Sequence, residues 1–234
     1  MLHKSLRAAV LFLLAAGLLC DCRAEHLWIV PEPIGFDGRV HVCTHHGLQL
    51  DQFPHLLKIQ LWRISDVKGC ESIQLADGRE SLVASEGVSD RGSTYVLSHV
   101  CGLSLSGVES SRTLLHAKAY TSVDPSTWRP LRRKRLPLEI VSARDREAFT
   151  FTVNFNGRPV ANPRISVLGP DGFQCESEGN SEGQVTCVLP QSGMYGLATS
   201  FIDSRPGKID GEEFSETRHL STLTLPVEVI PSRK

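Results

Sequence analysis

The chain has 234 residues, 25 Lys and Arg against 26 Asp and Glu for a formal net charge of -1, and 41% hydrophobic residues. A chain of that size and apolar content buries an ordinary core, which excludes collagen-like, coiled-coil and wholly disordered readings. The near-neutral balance lacks the basic excess that a phosphate backbone requires, so nucleic acid is not expected as a partner.

At the start of the chain, Lys4 and Arg7 precede an apolar run from Ala8 to Leu19, and Cys22-Arg23-Ala24 follows. That order predicts a secretory signal peptide over residues 1–24, cleaved after Ala24. The run has 12 residues, where a membrane-spanning helix needs about 20, and no later stretch comes close. The expectation is an exported chain, periplasmic or extracellular, with no membrane span once the leader is removed. Lipidation at Cys20 or Cys22 is disfavoured, because Leu19 and Asp21 are not the small residues that such processing prefers.

Five cysteines follow the leader: Cys43, Cys70, Cys101, Cys175 and Cys187. Disulfides are allowed outside the cytosol. Cys175 and Cys187 flank the Gly-rich turn of ESEGNSEGQVT on two strand-like segments, so antiparallel pairing of those segments predicts a bridge between them. Among the other three one bridge is open, and the leftover thiol is read as buried and inert before it is read as a soft ligand.

Period-two alternation of apolar and polar residues marks strands in chain order. The runs are RVHVCTH (39–45), LLKIQLWRI (56–64), STYVLSHV (93–100), RTLLHAKAY (112–120), AFTFTVNF (148–155), PRISVLG (163–169), GQVTCVL (183–189) and TLTLPVEVI (222–230). Turn signals at Asp77-Gly78, Asn156-Gly157 and Pro170-Asp171-Gly172 separate them, and no amphipathic helix of 12 or more residues follows the leader. The expected fold is all-β. WRPLRRKRLPLEI (128–140) carries two prolines and five basic residues between two sets of strands, which predicts an N-terminal β-sandwich module over 25–140 and a second over 141–234. RRKR within it reads as a solvated linker or a charged edge strand before it reads as a dibasic processing site. IDSRPGKIDGEEFSE (202–216) reads as an acidic, flexible loop whose carboxylates could supply an oxygen ligand.

Enzyme signatures are missing: the chain has no GxSxG, HExxH, GxxxxGK[ST], GxGxxG or CxxC motif. Histidine is the unusual feature, with eight beyond the leader and three of them inside HVCTHH (41–46). On a strand His41, Cys43 and His45 share one face, a donor set suited to zinc, nickel, cobalt or copper. The same residues also read as a half-polar strand face with Cys43 in the core. His99 and His116 fall in separate strands and read as isolated.

The stretch from AFTFTVNF to SGMYGLATSFID resembles a carboxypeptidase-regulatory or transthyretin-like sandwich module, an immunoglobulin-like architecture whose pattern is structural. The whole chain after the leader resembles a family of exported β-sandwich domains of unknown function found beside nickel and cobalt uptake transporters. EHLWIVPEP (25–33), RVHVCTHHG (39–47), STYVLSHV, LPLEIV (136–141), FNGRPVANPRISVLGPDG (155–172) and RHLSTLTLPVEV (218–229) carry the likeness. The resemblance implies a non-catalytic accessory that binds Ni(II) or Co(II) and serves a membrane metal transporter, with copper or zinc as other ions the donors accept. It implies His26 and His219 as ligands, with His41 and His45 reinforcing them. Two departures stand out. GLSLSGVESSRT (102–113) is short and not helical where the family carries a helix, and Glu25 precedes His26, which opposes chelation through a terminal amine. The rival expectations are a structural or interaction protein that binds a polysaccharide or a protein with no metal, and a copper-dependent oxidative enzyme that would need His as its first mature residue.

Overall fold

A computed structural model describes residues 26–32, 39–44, 59–65, 69–77, 81–84, 92–106, 109–128, 136–145 and 148–229. These form strands and two short 3-10 turns, with no α-helix among the described residues. The strands of the first half are β1 (Leu27–Pro31), β2 (Val40–Thr44), β3 (Leu61–Ser65), β4 (Gly69–Ile73), β5 (Leu75–Asp77), β6 (Leu82–Ala84), β7 (Thr94–Ser106) and β8 (Glu109–Tyr120). Those of the second half are β9 (Leu138–Asp145), β10 (Ala148–Phe155), β11 (Arg158–Pro159), β12 (Arg164–Leu168), β13 (Gln174–Glu178) and β14 (Gln184–Val188). The chain closes with β15 (Gly193–Asp203), β16 (Gly207–Ile209), β17 (Glu212–Phe214) and β18 (Glu216–Val227).

The central layer is an eight-stranded sheet of order β13-β12-β15-β18-β8-β7-β3-β4, which draws strands from both sides of residue 140. Its middle joint is the parallel pairing of β18 with β8, from Glu216↔Ser111 to Thr224↔Ala119, while its other strand pairs are antiparallel. Successive side chains of a strand point to opposite faces, so β8 and β18 feed two cores. On one face Leu115, Ala117, Ala119 and Leu220 pack against Leu27, Ile29, Val40 and Val42 of a sheet ordered β1-β2-β6-β5. On the other, Tyr195, Leu197, Leu223 and Leu225 pack against Leu138, Ile140, Phe149, Phe151 and Val185 of a sheet in which β10 pairs with β9, β11 and β14. The result is an all-β molecule of packed sheets. Each of these fully buried large apolar side chains stabilises it by about 1.5–3 kcal/mol.

Local chemistry explains the turns. Asn156 and Gly157 both have positive φ, 51° and 79°, and connect Phe155 to its partner Arg158 as a two-residue turn. That backbone requires left-handed residues at both positions, which Asn and Gly adopt at least cost. The segment read as a loop over 202–216 is largely strand. β15 runs on to Asp203, and β16 and β17 form a hairpin closed by Asp210 and Gly211, with φ of 50° and 93°. Asp210-Gly211 is the same turn signal, passed over in an acidic stretch. In GLSLSGVESSRT the residues from Gly102 to Ser106 pair with those from Glu109 to Thr113, as the far end of the β7–β8 ladder.

The expected Cys175–Cys187 bridge is not formed, and Cys43, Cys70, Cys175 and Cys187 are free thiols. The two thiols still interact with each other, but the strands that carry them are not paired. β13 pairs with β12 and β14 with β10, so the Gly-rich turn carries the chain from one sheet to another and never forms the expected hairpin. Both sulfurs nonetheless approach the Ser177 hydroxyl, at 3.5 Å for Cys175 and 3.8 Å for Cys187.

Candidate functional site

The cross-strand register builds the candidate site. Ser98 on β7 lies opposite His116 on β8, His116 lies beside Ser221 on β18, and His219 lies beside Leu114 and opposite Phe201 of β15. These pairings place Ser98, His116 and His219 on one face of the central sheet. His116 Nδ1 is 2.9 Å from Ser98 Oγ, and His116 Nε2 is 3.0 Å from His219 Nδ1. The two imidazoles stack with ring centroids 5.3 Å apart, and Phe155 meets His219 edge-on at 4.9 Å.

Both histidines are buried, with relative exposures of 1% for His116 and 5% for His219. Burial, followed by repulsion from His219, pushes His116 down to about 3. Burial also lowers His219. Asp203 pulls it upward and Arg112 and Arg205 push it down. Near neutral pH the pair is uncharged, and each ring carries one N–H and one lone pair. Two settings satisfy the chain of bonds. In one the Ser98 hydroxyl donates to His116, and His116 donates to His219. In the other His219 donates to His116 and His116 donates to Ser98, which leaves the lone pair on His219 Nε2.

Asp203 stands opposite Thr217 on β15, one diagonal step from His219 on the same face. Arg205 grips its carboxylate through Nε at 2.8 Å, and this hydrogen bond holds the carboxyl below the usual range. Phe155, Asn156, Arg158, Phe201, Asp203 and Arg205 line a groove of about 630 Å³, which neither histidine lines and which Phe155 separates from His219. The Phe155 and Phe201 rings lie 4.3 Å apart in its wall.

The histidines expected as ligands are distributed otherwise. The Leu27 carbonyl of β1 accepts from Thr222 Oγ1 at 2.6 Å, so the Leu220 and Thr222 side of β18 faces β1 and the His219 side faces away. His26, which adjoins β1 and lies against Trp28 with ring centroids 6.2 Å apart, and His219 are therefore on opposite sides of the central sheet. His41 pairs with Val30, four residues or about 13 Å along β1 from His26. Its Nε2–H donates to Glu32 at 3.1 Å, and its Nδ1 lies 2.9 Å from the Ser81 hydroxyl. Cys43 is buried, which pushes its thiol up to about 12 and keeps it protonated. His45 lies outside the described residues, as do His46 and His55.

His116 is a correction to the sequence reading. It is not isolated, because the parallel joint brings it to a histidine 103 residues away. His99, on the neighbouring strand, does not join this pair. Neither imidazole advertises the other in sequence. Ser98 and His219 take both ring nitrogens of His116 and Arg205 holds both Asp203 oxygens, and among the described residues no three His, Cys, Asp or Glu gather as a group that could hold an ion. No helix among the described residues is long and apolar enough to cross a membrane.

No protein-family model matches the chain, and no curated protein matches it. Among solved structures it is similar to a pullulanase from Anoxybacillus sp. LM18-11 in complex with maltotriose, at 12% identity and a TM-score of 0.18, over 76% of this chain and 24% of that one. It is likewise similar to the pullulanase from Anoxybacillus sp. LM18-11 in a second structure, at 11% identity and a TM-score of 0.19, over 82% and 27%. The chain spans about a quarter of the length of these structures. Likeness of this degree says nothing of a ligand or an activity.

Proposed function

We propose that the chain is an exported, non-catalytic accessory protein that binds a nickel or cobalt ion outside the cytoplasm and assists its uptake through a membrane transporter. The observation that supports this reading is the bonded series from Ser98 through His116 to His219. A metal-bound histidine donates its second ring N–H to a partner, which fixes the tautomer and the orientation of the ring. With His219 Nδ1–H donated to His116 and His116 Nδ1–H donated to Ser98, the lone pair on His219 Nε2 is free for an ion. Asp203 supplies a carboxylate on the same face. Burial keeps both rings neutral, so an ion displaces no proton from them. The leader and the family resemblance support export and the transporter. Relative to the expected ligands, the centre moves to His219, with His116 as its support and with His26 and His41 outside the site.

Calorimetric titration with Ni(II), Co(II), Cu(II) and Zn(II) tests the reading. The expected result is one-to-one binding that His219→Ala abolishes and that His116→Gln weakens by about 10–100-fold, the usual cost of losing an outer partner. Identical heats in all three proteins would overturn it and turn attention to a protein or polysaccharide partner.

A further inference from the structure

We infer that Cys175 and Cys187 are a redox pair that closes to a disulfide between two sheets, with Cys175 as the thiol that meets a small disulfide oxidant and Cys187 as the thiol that resolves it. The inference is independent of the metal reading, and the placement of three side chains carries it.

Alternating exposure along two strands sets that placement. In β13 Gln174, Glu176 and Glu178 are exposed while Cys175 and Ser177 turn inward. In β14 Gln184, Thr186 and Val188 are exposed while Val185 and Cys187 are buried. β13 is the last strand of the eight-stranded sheet and β14 the last strand beside β10, so the two inward faces meet at the rim of the second core. The turn between the strands is held in place, because Asn180 Oδ1 accepts from the backbone N–H groups of Glu182 at 3.1 Å and Gln184 at 2.8 Å. At the rim the Ser177 hydroxyl lies 3.5 Å from Cys175 Sγ and accepts from Cys187 Sγ at 3.8 Å, and the two thiols also hydrogen-bond with each other. A bond between edge strands of facing sheets requires side chains to bring the sulfurs together, and one hydroxyl gathers both here.

The two thiols differ in access. Cys187 is 7% exposed, and burial pushes its thiol up and keeps it protonated near neutral pH. Cys175 is half-buried and is the one a solute reaches. Since the thiolate is the attacking species, the outer cysteine reacts first. Its thiolate attacks one sulfur of a small disulfide RSSR, the S–S bond of the oxidant breaks, and one RS⁻ leaves a mixed disulfide on Cys175. Cys187 then gives up its proton and attacks the Cys175 sulfur, which releases the second RS⁻. The pair is oxidised by two electrons and RSSR is reduced, with the two protons of the original thiols ending on two RSH.

The test treats the fully reduced whole chain with oxidised glutathione, blocks the remaining thiols with an alkylating agent at intervals, and digests the unreduced protein at glutamate, which cuts at Glu176, Glu178 and Glu182 between the two cysteines. Mass spectrometry should find the Cys175 and Cys187 peptides cross-linked in the wild type. Cys187→Ser should stop at a lasting glutathione adduct on Cys175. Cys175→Ser should leave Cys187 reacting at least about tenfold more slowly than Cys175 does in the wild type. The wild-type arm decides the bridge whatever the variants do to the fold. Both thiols recovered in alkylated form, or glutathione retained on Cys175 with no cross-link, would overturn the inference. Cys187 gaining glutathione in Cys175→Ser as fast as Cys175 does in the wild type would overturn the assigned order.

Discussion

His116 is the residue whose behaviour departs most from its ordinary solution chemistry. Its ordinary value is 6.5 and burial depresses it to about 3, so the folded protein refuses a proton that the unfolded chain accepts. Above pH 6.5 both states are neutral at this position and it makes stability no steeper with pH. Below 6.5 the unfolded state gains the proton first. Stability is then lost at about 1.4 kcal/mol per pH unit until the folded value is reached. His219 is shifted the same way and adds to the slope, under the opposing influences of Asp203, Arg112 and Arg205. Urea melts of the metal-free protein between pH 7.5 and 4.5 should show the loss, and His116→Gln should reduce it by up to about 1.4 kcal/mol per unit. An unchanged slope in the variant would mean that His116 is protonated in the fold.

At the scale of elements, a buried ion pair adds to the apolar packing of Leu138 and Ile140 at the joint between the central sheet and β9. Lys118 of β8 is 1% exposed and donates from Nζ to Glu139 of β9 at 2.8 Å, with the Tyr120 ring 5.3 Å away. Burial alone would push Lys118 down, but Tyr120 and Glu139 outweigh it and hold the ammonium above its usual value. Removing one partner strands the other as a buried charge. Lys118→Ala should therefore cost about 3–5 kcal/mol, and the double change Lys118→Met with Glu139→Gln should recover much of it. Equilibrium denaturation measures both, and a single variant no less stable than the double would show that the pair is not a closed unit. The same element shows how far local reading reaches. The alternation in RTLLHAKAY predicts β8 and its two faces, yet it also places Lys118 on a buried face with no hint of Glu139.

The whole molecule is tied together by β18. Leu220 belongs to the core over β1 and β2, whereas Leu223 and Leu225 belong to the core over β9 and β10. Trp28 packs with Val30, Cys43, Leu168 and Ala198 where β1 meets β12 and β15, and Trp128 packs in the core over β9 and β10, so fluorescence can follow two separate regions. A strand shared by two cores predicts one cooperative transition. Variants retaining only Trp28 or only Trp128 should report the same urea midpoint, and Leu223→Ala should lower both midpoints together, by about 2–5 kcal/mol of stability. Two separated midpoints would show that the halves unfold independently and that β18 is only loosely held by one of them.

The all-β class, most of the strands, the Asn156-Gly157 turn and the buried faces were legible in the sequence because they depend on neighbours one to four residues away. Side-chain alternation has a period of two, and a two-residue turn depends on the φ of two residues. The candidate site was legible only in part. The family resemblance implies His219 as a ligand, and nothing in the sequence joins His116, Ser98, Phe155 or Asp203 to it. Their meeting depends on which strands become neighbours, and here the decisive pairing is the parallel contact of β8 with β18, across 103 residues of chain. The missing Cys175–Cys187 hairpin follows from the same cause. Those strands face each other across two sheets, and no local pattern distinguishes a turn within a sheet from a turn between sheets. Sequence by itself determined what each strand is. Tertiary packing decided which strands touch, because that choice is settled by burying both faces of one shared sheet at once.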